Sequence, residues 1–219
     1  MDHGNDGWSA VLDLAAGQHG YFTRAQAAAF HLSDITLGRA TRSGRLRRVQ
    51  HGVYQVQGSG DLRWEDVWVA WLRLGPNLPA FERARKPDAI AAGLTAAWVY
   101  GIGDMQPEPM EFLVDQRRQS RLELRLRVTH CHSDDWEVFE GLPLQRVHKI
   151  VADLVAAHAD EGHVVDLAID ALGKGLIDIA DIEHALGSIE QQSPRAKNVF
   201  DVIAQQSHSD LNQTERKLK

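Results

Sequence analysis

The chain has 219 residues, enough for one large domain or two small ones, and its 43% apolar and 25% charged composition excludes a low-complexity or fibrous chain. Its formal net charge of −6 excludes a uniformly basic nucleic-acid binder, and no apolar run reaches the ~18 residues of a membrane span. Cys131 is the only cysteine, which excludes an internal disulfide framework, and the opening MDHGNDGWSA lacks the basic start of a secretory signal. The expectation is a cytoplasmic protein with no membrane partner.

The first predicted element is a helix over 8–16, with Val11, Leu12, Leu14 and Ala15 on its apolar face and Gly17 and Gly20 stopping it. Thr23 is the expected N-cap of a helix over 24–30, and Ser33 that of a helix over 34–43 closed by Gly44. Residues 46–49 and 53–56 read as two wing strands around the turn Gln50-His51-Gly52, where glycine supplies a positive φ. Gly58-Ser59-Gly60 marks a flexible break. Beyond it, helices are predicted over 62–74 and 89–101, strands over 111–115 and 122–130, and helices over 147–158, 163–172, 179–186 and 195–205. The expected class is α+β. A winged helix-turn-helix domain over 1–58 precedes a mainly helical domain with a small β-sheet over 61–206 and a disordered tail over 207–219.

Charge is distributed unevenly along this plan. Residues 1–60 hold six Lys+Arg against four Asp+Glu, a balance of +2, whereas residues 61–219 hold 18 against 26, a balance of −8. Between Ile35 and Gly60 there are five arginines and no acid. A basic block on an acidic protein marks a surface that meets an anion, and a winged helix on duplex DNA explains it most simply. On the helix over 34–43, Leu37, Ala40, Thr41 and Gly44 share the face expected to pack inward. Thr36, Arg39 and Ser43, with Arg42 beside them, share the face left for a groove. Arg39 is placed for a base edge, Arg42 and Arg45 for phosphates at the helix end, and Arg47, Arg48 and His51 for the wing's contacts to the backbone or minor groove. One module reads only a few base pairs, so the expected partner is double-stranded operator DNA with an inverted repeat that seats two copies.

Residues 20–54, GYFTRAQAAAFHLSDITLGRATRSGRLRRVQHGVY, resemble the N-terminal winged-helix domain of the AbiEi-type antitoxins of bacterial type IV toxin–antitoxin pairs. The resemblance rests on Gly20, Phe22, Thr23, Ala25, Gln26, Leu37, Gly44, Leu46, Arg48, Val49, Gly52, Val53 and Tyr54. It extends more loosely through AGLTAAWVYGI (92–102) and LPLQRVHKIVADLVA (142–156). The resemblance implies an N-terminal domain that represses its own operon and a C-terminal domain that neutralises a cognate nucleotidyltransferase-like toxin.

The remaining signals carry less. Trp64, Trp68 and Trp71 fall on one helical face, and core packing explains them better than base stacking. His130 and His132 in a strand would share a face, but no second Cys/His pair completes a metal site, so no metal or other cofactor is expected. Gly101-Ile102-Gly103 and Gly173-Lys174-Gly175 lack the spacing of a phosphate cradle, and Glu215-Arg216-Lys217 has no strand to hold a nuclease motif. Two alternatives stay open: an enzyme that modifies the toxin, for instance by phosphorylation, and a stand-alone transcriptional regulator. The acidic residues of the second half, among them Asp134, Asp135, Glu137 and Glu140, suit a basic partner by charge complementarity.

Overall fold

Two hydroxyl residues placed just ahead of helix-forming runs set up the front of the molecule. In the computed structural model, which describes residues 3–117 and 123–217, Thr23 Oγ1 accepts the Gln26 amide at 3.0 Å while Gln26 Oε1 accepts the Thr23 amide at 2.9 Å. This reciprocal cap starts α2 (Arg24–Ala29), and Ser33 Oγ, accepting from the Thr36 amide, starts α3 (Asp34–Arg42). Before them lie α1 (His3–Ala16) and β1 (Tyr21–Thr23); after them come β2 (Leu46–Gln50) and β3 (Val53–Val56).

The three strands form an antiparallel sheet in the order β1-β3-β2, with a bulge between Arg48 and Gln50 and the turn closed by Gly52 at φ +79°. Val11, Phe22, Leu37, Ala40, Leu46 and Tyr54 are the centre of one apolar cluster between the sheet and α1–α3. This order and packing make a winged helix-turn-helix. Helix α1 begins earlier than the sequence suggested. Its Gly7 lies against α2's end, where an added Cβ would stand 2.5 Å from the Phe30 carbonyl oxygen, so that glycine serves close packing rather than breaking a helix.

Further along are α4 (Glu65–Leu74), α5 (Ala80–Arg85), β4 (Ala89–Ala91), α6 (Gly93–Tyr100), β5 (Met110–Val114) and β6 (Leu124–Val128). Then come β7 (Trp136–Phe139), β8 (Leu142–Gln145), α7 (Val147–Ala156), α8 (Glu161–Gly173), α9 (Ile179–Ile189) and α10 (Arg195–Lys217). The second sheet has the strand order β6-β5-β4-β8-β7. The class is α+β, as the sequence indicated.

Four local readings change. The helix predicted over 89–101 is a strand, β4, followed by α6, because Gly93 turns the chain at φ +53° and the buried run Ala89-Ile90-Ala91 suits a strand covered on both faces. Strands β7 and β8 fill the stretch between the strand predicted over 122–130 and the helix predicted over 147–158, where no element was expected, and are joined by Glu140 and Gly141 at φ +47° and +83°. Helix α10 runs into the stretch assigned to a disordered tail, with neither glycine nor proline between Arg195 and Lys217 to stop it. His130 and His132 lie beyond the end of β6, so strand alternation does not pair them. Leu122, where that strand was expected to begin, lies outside the described residues.

The chain divides into two compact units. The first, Met1–Ala91 with Leu113–His130 and Val138–Pro143, contains the winged helix and α4. Trp64, Trp68 and Trp71 are buried in it: Trp68 stacks on Trp71 at 5.3 Å between ring centroids, and His19 meets Trp64 and Trp68 edge-on. Three hydrogen bonds fasten the 76–80 segment to the start of the winged helix: Thr23 Oγ1 to Pro76 O, Gln26 Nε2 to Leu78 O, and Ala80 N to Gln18 Oε1, whose Nε2 in turn donates to Tyr21 O. The second unit, Ala92–Phe112 with Cys131–Glu137 and Leu144–Lys219, gathers α6 to α10, with α7 touching each of the other four. Among the described residues, no helix is long and apolar enough to cross a membrane.

Candidate nucleic-acid interface

Helical periodicity decides what α3 shows to solvent. Leu37 and Ala40 are fully buried against the sheet and α1, so Ile35, Gly38, Arg39 and Arg42, on the other side of the turn, point away from the core. Arg39 is exposed and its guanidinium makes no hydrogen bond or ion pair among the described residues. Arg42 is exposed as well, with Nε donating to the Gly38 carbonyl at 3.3 Å. Thr36 and Ser43 flank this face rather than centre it. Thr36 Oγ1 lies 2.9 Å from Ser33 Oγ, and Ser43 caps the helix while its Oγ donates to Ala40 O at 3.1 Å. Thr41, expected in the core, is half-buried and lines the wing-side groove, its hydroxyl donating to Leu37 O.

Between α3 and the wing runs a groove of about 470 Å³ lined by Gly38, Thr41, Arg42, Arg48, His51 and Tyr54, with Arg24 and Asp34 at its side. It unites three of the residues singled out from sequence: Arg42, Arg48 and His51. The Arg48 Nη2 and His51 Nδ1 atoms are 3.0 Å apart, and because a guanidinium only donates, Nδ1 is the acceptor. Arg45, just past the helix, is exposed and lies over the Trp8 ring at 5.2 Å, outside this groove.

Arg47 goes elsewhere. Residues paired across an antiparallel sheet share a face, and neighbours along a strand take opposite faces. Arg48 pairs with Tyr54 and Tyr54 with Phe22, on the face that covers the helices; Arg47 pairs with Gln55 and Gln55 with Tyr21, on the reverse. There Arg47 Nε donates to Gln55 Oε1 at 2.8 Å, and its Nη1 and Nη2 form a forked ion pair with Glu65 of α4, which also accepts the Tyr21 hydroxyl at 2.5 Å. Burial drives the Glu65 carboxyl upward, but the bonds from Arg47 and Tyr21 outweigh it and hold it below the usual carboxylate range. The hydrogen bond to Glu65 raises Arg47, and burial followed by Glu65 raises the Tyr21 phenol.

Two cations enter the site that the sequence reading left out. Arg24, at the start of α2, forms a two-pronged ion pair with Asp34, both bonds 2.6 Å. Arg73, on α4, donates to Gln50 of the wing and shares a second groove of about 410 Å³ with Arg24 and His51. Asp34 also joins them, so the surface is not acid-free: the arginine-rich run begins one residue after an acid that folding returns to the same groove. For Arg73 the available signal was its place on the last turn of a helix whose other face is apolar.

The arrangement is a ridge of guanidinium groups with a groove beside it, in a half-exposed setting where anionic oxygens can be met without desolvating a core. Exposed guanidinium groups donate to anionic oxygens, and the arrangement suits the grip of a polyanion. No curated protein matches the chain. Residues 9–57, the segment that builds this ridge and groove, match the family described as transcriptional regulator, AbiEi antitoxin.

Proposed function

We propose that this chain is a transcriptional regulator with an antitoxin role, whose winged helix over residues 1–58 grips duplex operator DNA of its own operon. The observation that carries this reading is the open arginine face of α3 beside the Arg42–Arg48–His51 groove, within the segment that matches a regulator family. Arg39 contacts a base edge; Arg42, Arg45 and Arg48 take phosphates; His51 lies at the wing's turn; Thr36 and Ser43 border the contact. Arg47, engaged by Glu65, steadies the wing instead of meeting DNA. The remainder of the chain, over 61–206, neutralises a nucleotidyltransferase-like toxin by covering it. Its charge of −8 over residues 61–219 suits a protein that itself handles polyanions and is therefore basic.

A gel shift with the DNA upstream of the chain's own reading frame tests the first half. Arg39→Ala is expected to relax sequence preference by ~1–3 kcal/mol. Unchanged binding by Arg39→Ala and Arg48→Ala together would remove α3 and the wing from the contact. For the second half, the toxin is incubated with the purified chain and ATP and then weighed by mass spectrometry. An unchanged mass with lost toxicity is expected, and an added phosphate would replace occlusion with catalysis.

A further inference from the structure

Two residues on the outer face of α3 have no reason inside the molecule. Ile35, in the first turn, is 65% exposed. Gly38 follows one turn later, inside the helix, where glycine is less favourable than alanine because more backbone freedom is lost on folding. Its φ is not in the left-handed region, so conformation does not demand glycine. Crowding does not demand it either: an added Cβ would meet nothing within 4 Å, even with Arg42 folded back onto the Gly38 carbonyl. A lone exposed isoleucine is common on protein surfaces. An exposed isoleucine one turn before an unexplained glycine, on the stripe that also carries Arg39 and Arg42, is a different matter.

A bare notch beside a branched apolar side chain fits close approach to a surface that is grooved and carries methyl groups. The major groove of B-DNA is such a surface, because each thymine presents its C5-methyl there. We propose that Gly38 lets α3 seat deeply in the major groove and that Ile35 packs on a thymine methyl, making the two residues specificity determinants beside Arg39. This rests on the DNA-binding reading above. It adds an apolar element to the arginine contacts, and it gives Gly38 a function that folding does not supply.

The test uses the full-length protein and a duplex that it selects from a random-sequence pool. Each thymine is replaced singly by deoxyuridine, which keeps base pairing and removes only the methyl. At least one replacement is expected to weaken wild-type binding by about fourfold, the worth of one buried methyl group. Ile35→Ala, whose Tm is checked against wild type, is expected to bind the thymine and deoxyuridine duplexes equally. Gly38→Ala is expected to raise Tm by about 2–4 °C through helix propensity, yet to weaken binding by at least about fivefold, since the new Cβ meets DNA. If no deoxyuridine replacement matters, or if Gly38→Ala binds as tightly as wild type, the inference is overturned while DNA binding stands. If wild type selects no duplex at all, the DNA-binding reading falls and this inference with it.

Discussion

Adjacent arginines of the wing are set to different tasks by strand alternation. Arg48 faces the groove beside His51, whereas Arg47 is clasped by Glu65 and Gln55 on the reverse of the sheet. Arg47→Ala is therefore expected to lower stability by roughly 0.2–1 kcal/mol, the range of a partly exposed ion pair, and to leave the salt dependence of DNA binding unchanged. Arg48→Ala is expected to do the reverse, holding Tm while making the slope of log K against log salt shallower by about one. Thermal melts beside salt titrations of both variants check the assignment. The carboxylate in this cluster has its own signature. Glu65 titrates below its ordinary value in the fold, so the stability it contributes is full above the unfolded carboxylate range and is lost as pH falls through the folded value. Glu65→Gln is expected to flatten that acid limb in a series of melts. His148 acts at milder pH. Burial lowers its pKa, so the folded state favours the neutral ring, and stability drops as pH falls below the ordinary histidine value of about 6.5. His148→Gln should remove that part of the decline; an identical pH profile would count against it.

At the scale of elements, the winged helix was legible because its signals are local. Thr23 and Ser33 cap where hydroxyls were expected, Gly44 and Gly52 take the positive φ that their turns require, and the two wing strands start at Leu46 and Val53. What was hidden depends on distant partners. Arg47 and Arg48 look alike in the chain, and Glu65, eighteen residues on, separates their roles. The run from Ala89 to Tyr100 is apolar and small throughout, so periodicity alone could not divide strand β4 from helix α6. The site too is only partly sequence-local: Arg73 arrives from α4, and Asp34 and Arg24 meet across the turn between helices. Two substitutions probe these additions. Arg73→Ala should weaken binding to all duplexes alike and reduce the salt slope by about one, and Asp34→Asn should strengthen binding by removing an acid from the groove and freeing Arg24. Opposite shifts in an operator titration would remove both residues from the interface.

For the molecule as a whole, the separation of charge is the organising feature. The front sixty residues carry +2 and the rest −8, so a polyphosphate duplex is attracted only where the arginines lie. A single winged helix spans few base pairs, and a footprint is expected to show two half-sites about 10–10.5 bp apart or a multiple of that spacing. The same partition leaves residues 61–219 with the sign that suits the proposed cover of a basic, nucleic-acid-handling toxin. The proposed grip by the front and the proposed cover by the remainder both rest on this one distribution of charge along the chain.

The most direct measurement is the affinity of the full chain for its upstream duplex as a function of salt, for wild type and for the triple variant Arg39→Ala, Arg42→Ala, Arg48→Ala. Wild type should show a slope of at least about −2 to −3, at −0.9 for each phosphate neutralised, and the triple variant should lose most of both slope and affinity while melting like wild type. A wild-type slope near zero, or a triple variant that binds as wild type does, would contradict the arginine ridge as the surface that holds DNA.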